Sequence, residues 1–117
     1  MSLTTAATLS TLEQSGPVRL TVLAVSEGVT QPAMTQLVRR LEEAGLATRC
    51  ADPDDGRVVN VQITGAGREL LAQRRSARAE RLSALLSRLS QADQDALAAA
   101  LPAINALTSL DRESVTA

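Results

Sequence analysis

Gly28-Val29-Thr30-Gln31-Pro32-Ala33-Met34-Thr35-Gln36-Leu37-Val38-Arg39-Arg40-Leu41-Glu42 is the stretch on which the fold turns. Thr30 reads as a helix N-cap whose side-chain oxygen accepts an otherwise orphaned backbone N–H. Pro32 falls in the first turn, where its missing N–H costs nothing. Met34, Leu37, Val38 and Leu41 recur at i, i+3, i+4, i+7, the spacing of a core-facing stripe. Gln31, Thr35, Gln36, Arg39 and Glu42 take the opposite face. Gly45 stops the helix, which spans about 30–44. The exposed face carries mostly uncharged hydrogen-bonding groups near its N-terminal end, with Arg further along.

Working toward the N-terminus, Gly28 ends a short helix capped at Thr21, and Val18-Arg19-Leu20 is a short extended stretch. Ser15-Gly16-Pro17 terminates an earlier helix, predicted to start from a Thr4 cap and to turn Ala7, Leu9 and Leu12 inward. In the other direction, Leu46 to Ala51 and Val58 to Ile63 alternate as strands do. Between them, Asp52-Pro53-Asp54-Asp55-Gly56-Arg57 is a hairpin turn rich in Pro, Asp and Gly. Thr64 caps a long helix carrying Leu70, Leu71, Leu82, Leu85, Leu86 and Leu89. Ser90 opens a last helix, with Asp93 near its positive dipole end and Leu97, Leu101, Ile104 and Leu107 as apolar positions. Pro102 is expected to kink or divide that helix. The polar tail at 111–117 is expected to fray.

Composition removes many functions. The 117 residues hold no His, Phe, Tyr or Trp, one Cys, and 12 cationic side chains, every one of them Arg. A four-ligand structural zinc site is therefore out of reach, as is a His-activated nucleophile. Without Lys there is neither a Schiff base nor a P-loop lysine. Carboxylate chemistry alone stays open, so the chain is not read as an enzyme. No cofactor, metal or catalytic residue is expected. The lone Cys50 offers no disulfide and reads as a small hydrophobe of the first hairpin strand. No apolar run suits a membrane span and no leader is evident, which together with the lone Cys fits a cytoplasmic protein.

Two short helices joined by a turn, the second polar-faced and followed by a hairpin, describe a mostly α fold with a small β-hairpin wing, the winged helix-turn-helix. Such a helix fits the DNA major groove, where Gln, Thr and Arg reach base edges. The hairpin brings Arg57 to the backbone or the narrow minor groove, where negative potential is strongest. An interaction module that keeps the fold but contacts protein instead of DNA is the alternative.

From Gly16-Pro17 through Gly67 the sequence resembles the MarR family of bacterial transcriptional regulators. Gly28 to Glu42 carries the resemblance, with Gly45-Leu46, the wing Asp52 to Arg57, and Ile63-Thr64-Gly65-Ala66-Gly67-Arg68. It implies a homodimer whose recognition helices enter successive major grooves of a near-palindromic operator in double-stranded DNA, a repressor released by a small effector. Family contacts carry over to Gln31, Pro32, Ala33, Thr35, Gln36 and Arg39, and in the wing to Arg57, with Asp55 as the acid that orients basic side chains. By this reading residues 1–67 form the DNA-binding region, with the wing at about 46–63, and residues 68–110 form C-terminal dimerisation helices. The family also places a further helix ahead of the one at Thr4, packed with the last two in the dimer. A chain without it would leave apolar surface on those helices uncovered. Family effectors are commonly small phenolic anions, and no aromatic ring is present here to stack on one.

The remaining charges divide simply. Arg40 is expected to pair with Glu42 or Glu43. The long helix carries Arg68, Arg74, Arg75, Arg78, Arg81 and Arg88 against Glu69 and Glu80, while the last helix is acidic. That arrangement suggests a solvated face, pairing between the two helices, or a flank that attracts phosphates. Because every cation is Arg, DNA affinity should hardly respond to pH near neutrality.

Overall fold

A computed structural model describes residues 1–116, with side chains through Asp111. Five helices and three strands follow one another as α1 (Leu3–Ser15), β1 (Val18–Arg19), α2 (Leu20–Glu27), α3 (Gln31–Glu43), β2 (Ala47–Ala51), β3 (Val59–Ile63), α4 (Gly65–Leu86) and α5 (Gln91–Thr116). They form two compact units. The first runs from Met1 to Ser76 and the second from Ala77 onward.

In the first unit, α3 forms as its sequence predicts. The Thr30 hydroxyl accepts the Ala33 N–H at 3.2 Å, and Met34, Val38 and Leu41 are buried. These join Leu9 and Leu12 of α1, Leu23 and Ala24 of α2, Ala47, Val61, Ile63 and Leu71 in one apolar core. Leu37 is only half-buried, at the edge of the stripe. The turn into α3 needs Gly28 at φ 67°, and the turn out of it needs Gly45 at φ 75°, a region that penalises side chains bearing a Cβ.

The sheet has one strand more than a hairpin. β2 and β3 pair antiparallel from Ala47↔Ile63 to Ala51↔Val59. β1 adds to the other edge of β3 through Val18↔Val61 and Arg19↔Asn60. Two residues are too few to announce a strand by periodicity; pairing with a distant segment creates it. That pairing also moves the start of α2. Arg19 stays extended as its N-cap without a side-chain cap bond, and Thr21 lies inside the helix instead of capping it. At α1, Ser2 takes the cap by accepting the Thr5 N–H at 3.1 Å. Thr4, predicted to cap, is already helical, and its carbonyl accepts the Thr8 hydroxyl at 2.8 Å.

The start of α4 is tied to the end of α3. Thr64 donates its hydroxyl to the Gly45 carbonyl at 2.7 Å and accepts the Gly67 N–H at 3.1 Å. Gly67 is buried there because nothing larger fits against Leu46 and Ile63.

In the second unit, α5 passes through Pro102 as one helix, so the proline does not divide it. In a helix this long the single hydrogen bond that the ring removes is not decisive. Ser90 caps α5 by accepting the Asp93 N–H at 3.1 Å, as expected. Leu89 lies after α4, which ends at Leu86. Leu82, Leu86, Leu97, Ala98, Leu101 and Ile104 line an open apolar groove of roughly 390 Å³. Leu82, Leu97, Leu101 and Leu107 are 45–69% exposed, a surface that water disfavours. No ion pair links the Arg residues of this unit to the acids of α5 among the described residues. The backbone of the tail expected to fray continues α5 as helix through Thr116, and its side chains beyond Asp111 lie outside the described residues. No helix of the described residues is long and apolar enough to cross a membrane.

Candidate nucleic-acid interface

α3 presents a polar face opposite its core stripe. Gln31, Pro32, Ala33, Gln36 and Arg39 are exposed, and Thr35 is half-buried. Residues four apart share a helix face, so Gln31, Thr35 and Arg39 form one row, with Pro32 and Gln36 in the next. The Thr35 hydroxyl donates to the Gln31 carbonyl at 2.9 Å, which leaves its oxygen lone pairs as an outward acceptor. Neither Arg39 nor Arg40 makes an ion pair among the described residues. Of the two acids expected to pair with Arg40, Glu42 is taken by Arg49 of β2 at 2.8 Å, and Glu43 forms no ion pair among the described residues. Both α3 cations therefore stay available, and Arg39 lies on the polar face.

The wing brings Arg57 to its tip. The Arg57 side chain is 92% exposed. Asp55 accepts both its backbone N–H, at 3.0 Å, and its Nε, at 3.4 Å, through the same Oδ1. Those contacts fix the stem of the guanidinium, and its Nη nitrogens have no partner among the described residues. A permanent, planar cation with two free donor nitrogens matches a phosphate or a base edge.

Asp52 is the residue that sequence reasoning missed. Its Oδ1 accepts the N–H groups of Asp54 (2.9 Å) and Asp55 (3.2 Å). Its Oδ2 accepts Arg19 Nε and Asn60 Nδ2, each at 3.4 Å. The Asp54 amide chiefly holds this carboxyl below its usual value of 3.8; partial burial pushes the other way, and the Asp55 amide, the Arg19 charge and Asn60 add to the lowering. Asp followed by Pro and two more turn residues is the available signal, since Asx turns close in this way. The long-range partners leave no local trace. Asn60 is buried, and its Oδ1 has no partner among the described residues. Cys50, expected to be a core hydrophobe, is half-buried on β2 opposite Asn60.

A three-stranded wing beside a helix pair whose second member shows a polar face defines a DNA-binding regulator of the winged helix-turn-helix class. The chain belongs to the MarR family: the model described as the MarR family matches residues 1–59. It is 35% identical over 107 residues to an uncharacterized HTH-type transcriptional regulator of Mycobacterium bovis, Mb0904, covering 92% of this chain and 75% of that protein. To the uncharacterized regulator YxaD of Bacillus subtilis it is 31% identical over 97 residues, covering 83% and 68%. Among solved structures, RV1404 of Mycobacterium tuberculosis superposes with a TM-score of 0.82 at 27% identity, covering 93% of this chain and 74% of that one. A mutant of S. aureus MepR bound to an oligodeoxyribonucleotide superposes at 0.72 with 28% identity, covering 94% and 80%.

Proposed function

We propose that the chain is a homodimeric repressor that binds a near-palindromic operator. Gln31, Pro32, Ala33, Thr35, Gln36 and Arg39 of α3 face the major groove, and Arg57 reaches the backbone or the minor groove with Asp55 orienting it. The observation that carries this reading is the pairing of features on one small unit. An outward helix face of uncharged hydrogen-bonding groups ends in an unpaired Arg39, and an Arg57 held only at its stem projects from the wing. Uncharged groups suit base edges, and unpaired Arg suits phosphate. The MepR mutant solved with an oligodeoxyribonucleotide supports DNA as the partner.

Residues 68–110 would supply the dimer contacts, burying the apolar groove of the second unit. Two recognition helices then meet half-sites about 10 base pairs apart, centre to centre. A small effector that favours a different spacing of those helices would release the operator, through its differential affinity for the two states. The protein would act in the cytoplasm, at the nucleoid.

Hydroxyl-radical footprinting on the DNA upstream of the protein's own gene tests this reading. Two protected patches about one helical turn apart are expected, with reporter transcription falling when the protein is supplied. A single patch contradicts the dimer, and rising transcription contradicts repression. Absence of protection would leave the fold to a protein-interaction role.

A further inference from the structure

The wing turn is held from outside itself, and that has a consequence for Arg57. Asp52 opens the turn, donating its own N–H to the Val58 carbonyl at 3.0 Å, while the Val58 N–H returns to the Asp55 carbonyl at 3.0 Å. Its two carboxylate oxygens do different work. Oδ1 gathers the Asp54 and Asp55 amides, as any Asx turn does. Oδ2 grips Arg19 on β1 and Asn60 on β3. Arg19 and Asn60 are cross-strand partners, so their side chains stand side by side on one face of the sheet. The Asp52 side chain is only 9% exposed although it belongs to a surface turn. One step further along, the fixed Asp55 holds the Arg57 backbone and Nε.

We propose that Asp52 is a positioning residue for Arg57, transmitting the fixed geometry of β1 and β3 through the turn to the point where the Arg57 guanidinium leaves the protein. The affinity part of this proposal rests on the reading of Arg57 as a DNA contact. A turn alone would require only Oδ1, which Asn supplies equally well. The second oxygen faces two donors, a guanidinium and an amide, so only an acceptor with no hydrogens of its own satisfies both. Asp52→Asn therefore keeps the Asx turn while setting an NH2 group against Arg19 and Asn60. Arg19 is the remote end of the same device, 33 positions from Asp52 in sequence.

The test uses the full chain and four proteins: parent, Asp52→Asn, Arg57→Ala and the double variant. Affinity for an upstream duplex is read by anisotropy, and the order of the Arg57 Nε–H by NMR relaxation without DNA. Asp52→Asn should loosen the Arg57 Nε–H and weaken binding about three- to tenfold. In the Arg57→Ala background it should weaken binding no further, because the lost contribution passes through Arg57. Asp52→Glu, which keeps the carboxylate, should restore part of the affinity. An unchanged Arg57 Nε–H in Asp52→Asn overturns the proposal whether or not DNA is bound. So does an equal loss of affinity with and without Arg57. A parent chain that binds no duplex overturns the DNA reading instead, and the relaxation data then decide the positioning role by themselves.

Discussion

Replacing Gly67 by Ala gives the sharpest packing prediction. A Cβ at that position would overlap the Leu46 carbonyl oxygen and lie 2.6 Å from Ile63 Cγ1 and 3.2 Å from its Cδ1. Neither neighbour yields easily. The Leu46 carbonyl accepts the Thr64 N–H at 3.0 Å, and Ile63 is a buried core residue on β3. Overpacking of this kind costs about 1–3 kcal/mol. Exchanging Gly for Ala in a helix returns about 0.5–1 kcal/mol through reduced backbone entropy. Near the upper end of the overpacking range, as a backbone clash warrants, the net loss is about 1–2 kcal/mol. For a domain of this size that lowers the unfolding midpoint by about 5–15 °C. Gly65→Ala is the matched control two residues away, where an added Cβ meets nothing within 4 Å. It should leave the midpoint unchanged or raise it slightly. Thermal unfolding followed by circular dichroism measures both. If Gly67→Ala unfolds at the parental midpoint, the close approach of α4 to the turn after α3 is not a constraint, and the reasoning fails.

Three further expectations follow from other contacts. Thr30→Ala removes the acceptor for the Ala33 N–H and should cost about 1 kcal/mol; hydrogen exchange at the first turn of α3 reads the loss. Asp52 has a folded-state pKa below its ordinary 3.8, so the stability it contributes is complete above that value and is lost as pH falls through the lower one. Chemical unfolding across acid pH should therefore show a smaller acid loss in Asp52→Asn than in the parent, and identical slopes would contradict the assigned contacts. Leu101→Arg places a charge in the apolar groove of the second unit, where Leu101 is 54% exposed. Light scattering should find the mass of two chains for the parent and of one for the variant.

What the sequence makes legible is what local physics decides. In α3, the Thr30 cap, the first-turn proline and the stripe of Met34, Val38 and Leu41 sit within one helix length, and the structure keeps all of them. The two hairpin strands, the Gly28 and Gly45 turns and the Ser90 cap are legible for the same reason. Val18-Arg19 is legible as an extended stretch but not as strand β1, because two residues become a strand only when β3 pairs with them. At the first helix, Ser2 and Thr4 are both competent caps, and nothing in their immediate neighbours ranks one above the other. The candidate site divides in the same way. Gln31, Gln36, Arg39 and Arg57 announce themselves by residue type on an element that must face outward. Asp52 appears in the sequence only as a turn residue, since its partners Arg19 and Asn60 come from other strands. The choice of Glu42 by Arg49 likewise depends on how β2 lies against α3.

The central claim is that DNA affinity resides in the polar face of α3 and in Arg57. Anisotropy titration of the parent, Gln36→Ala and Arg57→Ala against upstream duplexes over a range of salt tests it most directly. Affinity should fall linearly with salt on logarithmic axes. Arg57→Ala should weaken binding to every duplex and lower the salt slope by about 1, while Gln36→Ala should reorder the preference among duplexes. Duplex affinities that both variants share with the parent, at every salt concentration, would contradict the account.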